Sequence, residues 1–217
     1  MGIALVPGET NPEAIDQNLG KEFAVLRSSF KWHASCRHTH PSVDALLNLM
    51  EKNQVAFDDI ESVLVPTYQA AINVLSLSGN GETVHQSKFS MGFVLAIAAK
   101  KGQAMITDFT EDDLKDTSLR EFQNRVTMKY DADIDAQFPE RWQGAVIVEC
   151  KSGKTFTEST KFAKGDPELP LTRYAYCYTP KAYILFSNFL LLGLKLRQKL
   201  MLLLDMGESK IRTKLII

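Results

Sequence analysis

Apolar positions in this chain recur at two spacings, and these predict most of its elements. Val43, Leu46, Leu47 and Met50 fall at i, i+3, i+4 and i+7, predicting a helix opened by Pro41 with one buried face. "IESVLVPTY" (60–68) instead alternates Val63 and Val65 with polar neighbours, the two-residue period of a strand. Pro66 has no N–H to give a ladder, so that strand is expected at a sheet edge, or the proline at a strand end. "SKFSMGFVLAIAAKKG" (87–102) is apolar nearly all round, which predicts a buried helix.

Other elements are signalled by turn and capping chemistry. "RVTMKYD" reads as a strand, and "GAVIVECKSGKTFTESTKF" as a hairpin turning at Ser152-Gly153. Thr110 to Asp113 and Ser118 to Glu121 form two [ST]-x-x-[DE] boxes, each suited to start a short helix. "NPEAIDQNLGKEF" is expected to be a short helix capped by Asn11, with Pro12 in its first turn and Gly20 as its stop. "GNGET" (79–83) is followed by no clear helical pattern and reads as a turn.

Strands and helices interleave up to about residue 164, which predicts an α+β domain over 1–170. Leucine then dominates, and a helical tail is expected over 171–217, with the boundary in "KGDPELPLT". The tail's apolar stretch "AYILFSNFLLLGL" (182–194) is short of the roughly 20 residues of a spanning helix, and Ser187, Asn188 and Gly193 interrupt it. A buried helix is the expectation, so no membrane partner is predicted.

Composition narrows the function classes. The chain is 45% apolar and 24% charged, close to the globular average, so a core is expected. Net charge is −1, with no Lys/Arg block, which argues against a nucleic-acid partner. Cys36, Cys150 and Cys177 are odd in number and widely spaced, which favours a reducing compartment over a disulfide framework. The first residues lack a secretory pattern, and Val6 stands where myristoylation would want Ser or Thr. The expected location is cytoplasmic, or the mitochondrial matrix should the native N-terminus be longer.

One stretch concentrates chemistry. "FKWHASCRHTH" (30–40) holds three of the four histidines, a cysteine, a lysine and an arginine. As metal ligands, His33, Cys36, His38 and His40 would be crowded into eight residues with no second pair downstream, unlike structural zinc sites, and no metal is expected. As an anion site, Lys31, Arg37 and His40 lead into a helix start, where free N–H groups and the dipole favour negative charge. Arg37 suits a carboxylate, and His40 can exchange a proton near neutrality. His85 and Lys88 read by themselves as surface residues. No nucleophile elbow, phosphate loop, dinucleotide fingerprint or H-E-x-x-H is present.

Three stretches in this order resemble the MmgE/PrpD family, which includes 2-methylcitrate dehydratases, cis-aconitate decarboxylases and iminodisuccinate epimerases. They are "FKWHASCRHTHPSVDALL", "HQSKFSMGFVLAIA" and "RWQGAVIVECKSGKTF…KGDPELPLT", within roughly residues 14–172. The resemblance implies an α+β lid domain that works with a large helical domain on di- or tricarboxylates, without metal or organic cofactor. It implies catalytic roles for Lys31 and His40; Arg37, on its charge alone, is a candidate carboxylate partner, and His38 and Lys88 are further candidates for substrate binding. Phe93 stands where some members place a catalytic tyrosine, and the family's N-terminal helical domain is missing from this sequence. The expected partners are therefore a small carboxylate and either further copies of the chain or a separate helical domain, which would cover the leucine-rich tail.

Overall fold

The computed structural model describes residues 18–172 apart from residue 78. The expected helix start at Asn11 and Pro12, the 182–194 stretch and the helical tail lie outside the described residues.

Four strands form one sheet: β1 (Ile60–Thr67), β2 (Val126–Tyr130), β3 (Gly144–Cys150) and β4 (Thr155–Thr160). Their order is β2-β1-β3-β4. β1 runs parallel to β2, with Val63 opposite Val126, and antiparallel to β3, with Leu64 opposite Ile147. β3 and β4 are the expected hairpin, with Ile147 opposite Thr157. The helices are α1 (His40–Asn53), α2 (Gln69–Ser76), α3 (Val84–Ser87), α4 (Met91–Lys101), α5 (Glu111–Lys115), α6 (Thr117–Asn124) and α7 (Ala132–Asp135). The mixture of helices with one mixed sheet is the α+β class read from the sequence.

Alternation along the strands puts Val63, Val65, Val146 and Val148 on one buried face. α1 packs there against β3 and β4, and α4 lies beside α1 and reaches β2. α4 is the helix the all-round apolar pattern predicts. Ser90 Oγ accepts from Phe93 N at 3.4 Å at its start, and every residue from Phe93 to Ala99 is buried. On α1, Val43, Leu46 and Leu49 are fully enclosed while Leu47 and Met50 are half-buried, so the inward stripe runs through Leu49. α1 is also enclosed at its start, where every residue from His40 to Leu46 is buried.

Three local expectations are corrected. β1 is an interior strand, not an edge, and Pro66 takes the other place the sequence allowed, next to the strand's end. Val63 N donates to Arg125 O on the β2 side, so alternation turns the nitrogen of Pro66 toward β3, beyond the Leu64–Ile147 pair where that pairing ends. The missing N–H costs no ladder bond there. The second capping box is not used: Asp116 caps α6, accepting from Ser118 N at 2.9 Å. Thr83 of "GNGET" caps the one-turn α3 reciprocally with Gln86, a T-x-x-Q box too short to show a helical period.

Candidate functional site

The segment from Phe30 to His40 is held as a strap by main-chain bonds to three separate parts of the fold. Phe30 N donates to Gly165 O, Ala34 N to Ala104 O and Cys36 N to Lys88 O, each at 2.8 Å. A 3-10 turn, Arg37–Thr39, then feeds directly into α1 at His40. The strap thereby brings His33 against Asp44 in the buried first turns of α1.

His40 is fully buried and His33 is 2% exposed, with ring centroids 5.1 Å apart, edge to face. His33 Nε2 lies 2.8 Å from Asp44 Oδ1, and the other oxygen, Asp44 Oδ2, accepts from Lys164 N at 2.7 Å. A carboxylate oxygen facing a ring nitrogen accepts, so His33 carries its proton on Nε2. His40 Nε2 faces the Ser35 carbonyl at 3.3 Å, and the same rule puts the His40 proton on Nε2. Both Nδ1 atoms are buried and have no hydrogen-bond partner. Burial, then the neighbouring His33 and Arg37, push the His40 pKa well below its ordinary value, partly opposed by the Ser35 carbonyl; Lys31 adds to the lowering. His40 is therefore neutral at pH 7 and keeps a lone pair on Nδ1.

Arg37 Nη2 donates to Asp166 Oδ1, while Arg37 Nη1 is buried without a partner. Asp166 also accepts from Ser29 Oγ at 2.7 Å and from Ala163 N at 3.0 Å. The guanidinium lies over Trp142, 5.6 Å from the ring centroid. The strap thus carries one buried, unpartnered cationic donor on Arg37 and the lone-pair Nδ1 of His40, a set able to bind an anion and take up a proton.

The other candidates are placed differently. Lys31 is exposed, and its charge acts on His40. His38 turns into an aromatic cluster, with Nδ1 2.8 Å from Tyr68 Oη and its ring stacked on Trp142 at 4.9 Å. Burial, then Arg37, lowers its pKa. The main chain of Lys88 touches the strap, but its ammonium lies over Phe109, 5.7 Å from the ring centroid. Phe93 is sealed in the core under the guanidinium of Arg120. The charges of Lys31 and Arg37 thus act on His40, His38 shares Trp142 and the charge of Arg37, and Lys88 sends its ammonium to Phe109.

Asp44 and Asp166 are the groups the sequence reading missed. Asp44 had a usable signal, since it stands one helical turn after His40 on the same face. Asp166 lies in the "KGDP" turn, 129 positions from the arginine it binds, and no local pattern reports such a pair. Among the described residues, no group of three or more His, Cys, Asp or Glu is arranged to hold a metal ion. No helix among them is long and apolar enough to cross a membrane.

No curated protein matches the chain. The MmgE/PrpD C-terminal domain matches residues 33–176, more than half of the chain, with His33, Arg37, His40, Asp44 and Asp166 all inside the matched span. α1, the "KGDP" turn and the strap from His33 onward lie within the match, and Lys31 lies just before it; the chain belongs to the MmgE/PrpD family.

Proposed function

We propose that this domain supplies the lid side of a lyase site for a di- or tricarboxylate, with 2-methylcitrate dehydratase-like chemistry. The supporting observation is the neutral, unpartnered Nδ1 of His40 on the same strap as the buried, unpartnered Nη1 of Arg37 and the exposed Lys31. His40 would take the proton from the carbon next to a carboxylate. Lys31 and Arg37 would hold carboxylate groups and offset the charge that develops as water leaves. His38 and Lys88 would border the site rather than bind its ligand. Because His40 is fully buried, substrate would reach it only where the strap opens, and a second polypeptide or a longer chain would supply the rest of the site. The reading invokes no metal or organic cofactor.

A second reading is a carboxylate-binding or interaction module without catalysis. It is favoured by the same burial of His40 and by Phe93, which brings no hydroxyl to the position where some family members use a tyrosine. Citrate titration into the full chain, followed by calorimetry, tests the binding step shared by both readings. Lys31→Ala is expected to weaken citrate binding at least about tenfold, roughly 1.4 kcal/mol. Equal affinity of the variant and the parent removes Lys31 from the site. Loss of an α-proton to solvent deuterium, followed by NMR on bound citrate, separates the lyase from the module.

A further inference from the structure

The carboxylate of Asp44 accepts two N–H groups at once, one from His33 Nε2 and one from the main chain of Lys164. A main-chain N–H cannot become an acceptor. An ionised carboxylate suits both neighbours, whereas an amide in its place would suit one and oppose the other. The His33 ring, so held, stands edge-on to His40 at 5.1 Å, inside a region where neither ring has solvent. Carboxylate, first imidazole and second imidazole therefore form a chain of contacts that ends at the lone pair of His40 Nδ1.

We propose that Asp44 and His33 are positioning residues for His40: Asp44 holds His33 in its Nε2–H form, and the His33 ring holds the His40 ring with Nδ1 open. This rests on the reading of His40 as the proton-accepting group. The charged or titratable groups that bear on His40 are His33, Arg37 and Lys31, and Asp44 reaches it only through His33. Asp166 serves as the internal comparison. It is an equally buried carboxylate that also accepts a main-chain N–H from the same turn, but its side-chain partners are Arg37 and Ser29 rather than a histidine.

Long-range proton–nitrogen NMR on the full chain, labelled at histidine, reads each tautomer directly. In the parent at pH 7.5, His33 and His40 are both expected to show a pyridine-like Nδ1 and a pyrrole-like Nε2. Asp44→Asn is expected to reverse His33, because its amide must keep its oxygen toward Lys164 N and turn its NH2 to Nε2. His33→Phe is expected to shift the His40 ring signals, as the ring loses its edge-to-face neighbour, while the His40 proton stays on Nε2 toward the Ser35 carbonyl. Asp166→Asn should leave the His33 tautomer unchanged.

A pyrrole-like Nδ1 on His33 in the parent overturns the proposal, with no variant needed. So does an unreversed His33 in Asp44→Asn, or a His40 pattern indifferent to His33→Phe. Adding citrate to the labelled parent addresses the functional reading separately. Parent tautomers as expected, with no response of the His40 signals to citrate, would sink the lyase reading while the positioning unit stands.

Discussion

The guanidinium of Arg37 donates to the carboxylate of Asp166 across 129 positions of sequence, tying the strap before α1 to the "KGDP" turn near the end of the domain. Both side chains are largely buried, so neither charge can be left alone cheaply.

Removing Asp166 strands Arg37, Ser29 Oγ and Ala163 N together. Asp166→Ala is expected to cost about 3–5 kcal/mol in urea unfolding. Arg37→Ala should cost less, about 2 kcal/mol, because Asp166 keeps its other two donors. The double variant should lose clearly less than the sum of the two. Additivity within about 0.5 kcal/mol would show that the pair does not act as one unit.

Stability should also depend on pH through His40. Its pKa in the fold is well below the 6.5 it has when exposed, for which burial is the first cause. The unfolded chain therefore binds more protons below pH 6.5, and stability falls as pH drops through that value. The limiting slope is about 1.4 kcal/mol per pH unit for one such group. His38, also lowered, acts in the same direction and window. Urea midpoints at pH 7.5 and 5.5 should differ in the parent and differ less in His40→Gln. An equal loss in both proteins would assign the effect to other groups.

Gly165 lies at φ +98°, and a Cβ there would run into the carbonyl oxygen of Phe30. The same carbonyl-side approach lets Gly165 O accept from Phe30 N at 2.8 Å. Gly165→Ala is expected to lower the melting midpoint well beyond Gly102→Ala. Gly102 is also left-handed, at φ +69°, but a Cβ there meets nothing within 4 Å. The difference is the clash, about 1–3 kcal/mol on top of the backbone strain, or about 2–4 °C per kcal/mol in a domain of this size. Similar midpoints for both variants would mean that the turn can move away from the strap.

Leu19, Phe23, Val25 and Leu26 are all more than half exposed on the segment leading to the strap. Contiguous apolar surface of this kind favours association. Elution volume in size-exclusion is expected to fall as concentration rises, and Phe23→Glu with Leu26→Lys should reduce both that shift and the binding of an apolar dye. A concentration-independent monomer with no dye signal would count against it.

What the sequence determined is what acts over a few residues. The all-round apolar run and the cap at Ser90 define α4, the Ser152-Gly153 turn defines the β3–β4 hairpin, and Pro41 stands in the first turn of α1. The crowd of Lys31, His33, Arg37 and His40 was legible too, because it is contiguous. Only tertiary structure decided that β1 is interior, since strand order depends on partners more than 60 residues away, such as Val126. Only tertiary structure made His40 neutral, because burial, which no local pattern records, dominates its protonation. The acids that organise the strap, Asp44 and Asp166, were present in the sequence as ordinary polar positions. Their roles come from a helical turn and a chain return that set each carboxylate where two or three donors converge.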